Sequence, residues 1–428
     1  MTDTHIEFPP DFVFGSATAA HQVEGNNVHN DWWAHEQAPD TNAIEPSGIA
    51  CDHYHRYADD FRLLQSLGHP AHRLSIEWSR IEPAEGQIDA AEMDHYRAVL
   101  ETLRELGITP WVTVHHFTLP QWFAARGGFT RAENVDPFRR FVERMARAYG
   151  DLVDHWCTIN EPTVHAEMGY RFAYFPPRLA DANVAADVML NLFRAHTAAT
   201  EAVHAHARRT PLVGITLAVM VHEPLRPEAA ADREMAARRD AETNGVSFDA
   251  LRTGVFSYPG RAPVEIPGLQ VSSSFVGIQY YSRTRYDAQV SGPAMADTER
   301  VLSQMAWEVY PEGFAPLLQR GAATGLPVYV TENGMAHDDD RVRVQYIADH
   351  LASVDQARRA GADVRGYFYW SAMDNFEWNF GYGPQFGLIA VDRQTLARTP
   401  RPSAHFFAEI IRGRRLTPEL VRQFTGAS

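Results

Sequence analysis

The chain has 428 residues, 45% hydrophobic and 22% charged, with 54 acidic residues against 39 basic ones and a formal net charge of −15. Every basic residue is an arginine, and the absence of lysine excludes Schiff-base aldolases, pyridoxal-phosphate enzymes anchored by their own amine, and the Walker-type phosphate loop. The acidic surplus argues against nucleic acid as a partner, because phosphate binding needs a basic face.

No run of 18 or more apolar residues occurs, so no membrane span is expected, and the polar, acidic start Met1-Thr-Asp-Thr-His-Ile-Glu7 is unlike a signal peptide. Cys51 and Cys157 are the only cysteines and read as isolated buried thiols, not as a disulfide framework or metal site. The expectation is a soluble, cytoplasmic protein without metal or cofactor.

Taken in chain order, apolar runs that read as strands cover Phe12–Ala20, Ala71–Trp78, Thr109–His116, His155–Glu161, Leu212–Val221, Phe275–Ser282, Pro327–Asn333 and Val364–Met373. Several are nearly continuous in apolar residues, as strands covered on both faces should be. Segments at helical spacing lie between them, among them Asp59–Leu67, Ala90–Leu106, Pro137–Tyr149, Val184–Ala207 and Arg341–Ala360. Gly68, Gly107, Gly150, Gly325 and Gly361 stand where a helix should stop. The acidic run Asp338-Asp-Asp340 reads as a helix cap, not a metal site. Strand–helix alternation repeated eight times predicts an α/β fold, a single (β/α)₈ barrel over residues 1–428. A doubly wound sheet is the alternative, but its Gly-x-Gly-x-x-Gly after the first strand is missing. Residues Glu223–Ser274 read as the longest irregular stretch, an elaboration between the fifth and sixth strands.

In such a barrel the chemistry sits at the C-terminal ends of the strands. Those ends carry His115-His116, Asn160-Glu161-Pro162, Gln279-Tyr280-Tyr281, Thr331-Glu332-Asn333-Gly334, and Trp370 followed by Asp374-Asn375-Phe376-Glu377-Trp378; Arg73 lies within the second strand. A single carboxylate at a strand end is more often structural than catalytic. Two on opposite strands, joined by amides, imidazole and indole, suit glycoside hydrolysis, in which one carboxyl protonates the leaving oxygen and the other attacks or activates water. The 20 histidines raise the alternative of a metal hydrolase, but the close pairs His53/His55, His115/His116 and His204/His206 lack the i, i+4 spacing of His-Glu-x-x-His. They read as surface or packing residues.

Thr158-Ile-Asn-Glu-Pro162 and Val330-Thr-Glu-Asn-Gly334 resemble the two signature motifs of glycoside hydrolase family 1, the retaining β-glucosidase family. The resemblance extends through Phe12-Val-Phe-Gly-Ser-Ala-Thr-Ala-Ala-His-Gln-Val-Glu-Gly25, His72-Arg-Leu-Ser-Ile-Glu-Trp-Ser-Arg80, Trp307-Glu-Val-Tyr-Pro-Glu-Gly313 and Tyr369-Trp-Ser-Ala-Met-Asp-Asn-Phe-Glu-Trp378. It implies a (β/α)₈ barrel that hydrolyses small β-glycosides by double displacement, with Glu161 as acid/base and Glu332 as nucleophile. Arg73 and Tyr281 resemble the groups that hold the nucleophile ionised and oriented, and Asn160 the residue that grips the 2-hydroxyl. Gln22, His116, Glu377 and Trp378 match the grip on the other hydroxyls, Trp370 the stacking floor, Phe386 a residue near the 6-position, and Trp307 the aglycone entrance.

Gln279 stands where the family usually has Asn, and Phe117-Thr118 where it usually has Trp-Asp, which leaves glucose, galactose and fucose open as the glycone. The stretch before Phe275 is short, which suggests an open aglycone entrance. Three related readings compete: a 6-phospho-β-glycosidase, disfavoured without lysine in Trp378-Asn-Phe-Gly-Tyr-Gly-Pro-Gln-Phe386; a transglycosylase; and a catalytically silent sugar-binding relative, disfavoured because both glutamates are present.

Overall fold

A computed structural model describes residues 5–426, and among them eight parallel strands close into a barrel. They are β1 (Val13–Ala17), β2 (Ala71–Ser75), β3 (Thr109–His115), β4 (His155–Asn160), β5 (Leu212–Pro224), β6 (Phe275–Asp287), β7 (Val328–Asn333) and β8 (Val364–Trp370). Each pairs in parallel with the next, and β8 returns to β1. All eight expected strands are present, with ends displaced by a few residues. The largest displacement is at the end of β6, which runs on with β5 beyond the barrel, Val221–Pro224 against Arg283–Tyr286. Polar side chains such as His222, Arg283 and Arg285 interrupt the apolar pattern there, although the backbone pairing continues.

Helices α1 (His53–Ser66), α2 (Ala90–Glu105), α3 (Val135–Tyr149) and α4 (Ala182–His206) follow the first four strands. Asp339 caps the helix Asp340–Arg359 by accepting from the Arg341 amide, as the acidic run suggested. Gly68, Gly107, Gly325 and Gly361 take the left-handed conformation that ends a helix, whereas Gly150, at φ −66, does not. A side chain at Gly150 would collide with the Ala146 carbonyl and with Ala207, so close packing at the α3–α4 crossing requires glycine there.

One expectation is overturned. Residues 230–253 are helical, as α5 (Ala230–Asp240), a π-turn Ala241–Gly245 and α6 (Val246–Thr253). The arginine and acid-rich surface of α5 hides its periodicity, because few of its residues face the core.

The barrel is closed at its N-terminal end by rings. Trp111 packs against Phe275, Tyr329 and Phe368 at centroid distances of 5.4, 4.8 and 4.9 Å. Glycines in the neighbouring strands leave the room: a Cβ on Gly15, Gly214 or Gly366 would lie within 2.8 Å of one of these rings. With the floor filled, polar side chains can accumulate only above it, toward the C-terminal rim. Both cysteines are buried and free. Among the described residues no helix is long and apolar enough to cross a membrane.

Candidate active site

Two of the strands lose regular register near their C-terminal ends, β4 between Cys157 and Asn160 and β7 between Val330 and Asn333. Such irregularities re-aim side chains. They occur where the chain delivers Glu161 and Glu332, both of which line one cavity of about 1020 Å³ at the rim.

Glu332 is 4% exposed and enclosed by donors. Arg73 Nη1 reaches its Oε1 at 2.5 Å, Gln279 Nε2 donates to the same oxygen at 2.9 Å, and Tyr281 Oη donates to Oε2 at 2.7 Å. Arg73 is fully buried above the aromatic floor, and its other donors go to Thr113 Oγ1 at 2.9 Å and Asn160 Oδ1 at 2.5 Å. A buried guanidinium is tolerated because each end of its fork meets an acceptor. Burial pushes the Glu332 carboxyl up, and the Arg73 charge with the Tyr281 and Arg73 hydrogen bonds opposes that push. Asn333 ties the strand end in place, donating to Tyr280 O at 2.6 Å and accepting from Tyr367 Oη at 2.8 Å. At Gly334 a Cβ would lie 1.7 Å from the Trp370 carbonyl oxygen, so only glycine permits β7 and β8 to converge there.

Glu161 has a different environment. Its backbone is left-handed, at φ 48° and ψ 64°, a costly conformation for a residue with a Cβ. Its amide is held by the Thr216 carbonyl at 2.8 Å, and Pro162 starts the following helical turn. Burial, then the Glu332 charge, push its carboxyl well above the ordinary carboxylate range, and only the charge of Arg73 opposes this. Glu332 is raised as well, but by less, so of the two carboxyls Glu161 keeps its proton to the higher pH.

Gln22, His116, Tyr281, Trp307, Trp370, Glu377, Trp378 and Phe386 line the same cavity, so the structure brings together nearly all the residues singled out from sequence. Arg73 and Asn160 lie behind its wall. Asn160 Oδ1 accepts from Arg73, from Gln279 at 2.9 Å and from Thr216 at 3.1 Å, which fixes the amide with Nδ2 facing His116 Nε2 at 3.4 Å. Burial, then Arg73, hold the His116 imidazole neutral, well below its usual value. With Nε2 accepting from Asn160, the ring proton is on Nδ1, which is buried without a partner. Gln22 Nε2 donates to Phe376 O at 2.8 Å and Asn375 Oδ1 at 3.1 Å, leaving its Oε1 buried and unpaired. Burial, then the Glu332 charge, push Glu377 up to about 8.

Trp370 lies nearly parallel to His116 at 5.8 Å, and Trp378 stacks on His21 at 5.8 Å and packs on Trp32 at 4.6 Å. Phe386 and Trp307 flank Tyr281, at 6.2 and 5.4 Å. Phe117 lines the cavity and packs against Trp378 at 5.4 Å, whereas Thr118, outside the lining, donates to Glu77 at 2.9 Å.

Sequence reasoning missed what Gln279 does: its one amide group bridges Asn160 and Glu332. It also missed Thr113 and Thr216, which bond Arg73 and Asn160, and gave no role to Asn375, which orients Gln22. Alternation along β3 places Thr113 on the same inward face as Trp111, a signal that was available. The histidine pairs divide in their environments, His53 bonding Asp60 at 2.8 Å and His115 packing on Phe129 and His165.

The sequence model described as glycosyl hydrolase family 1 matches residues 4–415. A solved beta-glycosidase from Pyrococcus horikoshii is similar to this chain with a TM-score of 0.91 and 39% identity, covering 99% of each chain. Thermostable beta-glucosidase B of Thermobispora bispora is 34% identical over 95% of this chain and 91% of its own length. Beta-glucosidase A of Thermotoga maritima is 30% identical over 95% of this chain and 98% of its own.

Proposed function

The chain belongs to glycosyl hydrolase family 1, and on that premise we propose that it is an exo-acting, retaining β-glycosidase whose preferred glycone is glucose. The observation that carries this reading is the unequal setting of the two carboxyls, Glu332 surrounded by donors and Glu161 with none. Paired titratable groups pushed apart in this way divide acid and nucleophile roles between them.

In the first step Glu332 attacks the anomeric carbon as its bond to the glycosidic oxygen breaks, and Glu161 gives that oxygen its proton. The resulting ester is opened by water, which loses a proton to Glu161 as it attacks, so the sugar leaves with its β configuration. Arg73, Gln279 and Tyr281 hold Glu332 anionic and aim it. The unpaired Gln22 Oε1 accepts from a sugar hydroxyl and the His116 Nδ1–H donates to one; Glu377, with its high pKa, can also donate. Asn160 bears on the 2-hydroxyl from behind the wall. Trp370 provides the face for the sugar's C–H side, Phe386 adjoins its 6-position, and Trp307 stands toward the leaving group. Buried side chains wall the inner end, Gln22, His116, Trp370 and Trp378 among them, so a terminal sugar is accommodated and an internal one is not. Two free buried thiols suit a reducing compartment, and we place the enzyme in the cytoplasm as one barrel domain.

The experiment is incubation with aryl 2-deoxy-2-fluoro-β-glucoside, followed by peptide mass spectrometry and, for the parent glucoside, NMR of the first-formed anomer. The expected result is a fluoroglucosyl ester on the peptide containing Glu332 and a β-configured product. An unmodified Glu332 peptide with α product would overturn the assignment.

Gln279→Met removes one donor to Glu332 at nearly constant volume. A hydrogen bond to a charged group is worth about 1.5–3 kcal/mol, so kcat/KM should fall about ten- to hundredfold. Losing a donor raises the Glu332 pKa, and the acidic limb of the pH profile should move to higher pH.

A further inference from the structure

Four rings stand nearly parallel along the cavity wall. His21 lies at 10° to Trp378, Trp378 at 16° to His116, and His116 at 16° to Trp370, with centroids 5.8, 6.2 and 5.8 Å apart. Trp378, His116 and Trp370 line the cavity. His21, the outermost of the row, is buried behind Trp378 and does not.

The His21 ring is tied to the protein at both nitrogens. Asn30 caps the short helix Asp31–Glu36, its Oδ1 accepting from the Trp33 amide at 2.7 Å. That bond turns the Asn30 Nδ2 toward His21 Nδ1, 3.0 Å away, and the ring nitrogen must accept there. The ring proton is therefore on Nε2, which donates to Glu36 Oε1 at 2.7 Å. Glu36 is fixed in turn by Ser47, whose amide and hydroxyl donate to Oε2 at 2.8 and 2.6 Å. The side chains of His21 and Glu36 are 1% and 0% exposed.

A buried imidazole–carboxylate pair costs desolvation that an apolar ring at position 21 would not, so packing alone does not call for it. Apolar contacts are non-directional and let a ring slide. The contacts of Trp378 with Trp32, Phe117 and Phe175 are of that kind, the rings meeting at 48°, 69° and 41°. Two directed bonds, one at each nitrogen and one of them to a carboxylate, fix the plane of the imidazole. We infer that His21 is a positioning residue for sugar recognition: held between Asn30 and Glu36, it sets the Trp378 indole against the sugar hydroxyl that Trp378 binds. This inference rests on the β-glycosidase reading above.

The test is kcat/KM of wild type, His21→Ala, Trp378→Phe and the double variant on an aryl β-glucoside and its 3-, 4- and 6-deoxy analogues. Trp378→Phe removes the indole N–H and keeps a ring, so the deoxy sugar on which it has no effect identifies the hydroxyl that Trp378 binds. His21→Ala should lower kcat/KM on the parent glucoside about five- to tenfold, the scale of one neutral hydrogen bond. It should have no effect on that same deoxy sugar, and should add less than about twofold to the loss in Trp378→Phe. His21→Ala also leaves the buried Glu36 without its donor, so Asn30→Ser serves as a second, milder variant. Serine keeps the helix cap but ends short of His21 Nδ1, and the same deoxy pattern should appear with a loss of about threefold. The same factor on all four substrates in either variant, a factor of one included, would reduce His21 to wall packing and overturn the inference. So would full additivity of His21→Ala with Trp378→Phe, and in each of these cases the β-glycosidase reading stands. If the wild type cleaves none of the four, both fall.

Discussion

Glu332→Ala is expected to lower kcat on an aryl β-glucoside by about five orders of magnitude or more, the scale on which loss of a catalytic nucleophile acts elsewhere. Two effects must be separated in that variant. The first is chemical, since no group remains to form the glycosyl ester. The second is structural, because Arg73 is fully buried and loses its charge partner, keeping Asn160 at 2.5 Å, Thr113 at 2.9 Å and the Thr331 carbonyl at 3.4 Å. Breaking one side of a buried ion pair costs about 3–5 kcal/mol, so a lower Tm should accompany the loss of activity. Glu332→Gln, which fills the same space, should recover much of the Tm and none of the turnover. Added azide supplies the decisive readout. A small anion can occupy the space vacated beside Arg73 and attack the anomeric carbon from that side, so turnover should return in part with the α-glycosyl azide as product. Full activity in Glu332→Ala, or rescue yielding only β-azide, would contradict the nucleophile assignment.

Glu161→Ala should separate substrates by leaving group. General acid catalysis contributes about 10²–10⁴-fold. Alkyl glucosides, whose alkoxide cannot depart without a proton, should lose that factor, whereas a dinitrophenyl glucoside should form the glycosyl ester at close to the normal rate. Azide should then accelerate turnover and give the β-azide, because it attacks the ester from the face opposite Glu332. The pH dependence has a definite sign. Glu161 is needed protonated in the first step and its pKa is raised by burial and by Glu332, so kcat/KM holds below that pKa and falls as pH rises through it. Glu332 is needed ionised, so kcat/KM also falls as pH drops through the Glu332 value. In Glu161→Ala the basic limb should vanish and the acidic limb remain, as measured with the dinitrophenyl substrate.

Much of the barrel is legible in the sequence because its strands are covered on both faces and its helices end at glycines. Near-continuous apolar runs such as Thr109–His115 and Phe275–Ser282 identify strands without reference to their neighbours. The reading fails where a segment serves a site instead of the core. The outer ends of β5 and β6 are paired strands of mixed polarity, and α5 is a helix with little buried surface. Both wall the rim cavity, where the chain's pattern follows the cavity and not the hydrophobic core.

The missing lysine is a fact of sequence with a structural consequence: the fixed positive charge beside Glu332 is an arginine, Arg73, whose planar fork reaches Glu332 and Asn160 together. The sequence by itself determined the order of strands and helices, the two motifs that carry Glu161 and Glu332, and the glycines where helices stop, since these depend on local pattern and on residue identity. Only the tertiary structure decided which polar atoms are left unpaired. Gln279 departs from the family pattern in the sequence; that its amide joins Asn160 to Glu332, and that His222, Asn244 and Arg239 bond within the protein, follow from where strands distant in sequence meet. Hydrogen-bond satisfaction belongs to the assembled barrel, and through it the carboxylate end of the cavity keeps the unpaired atoms of Gln22, His116 and Gln279.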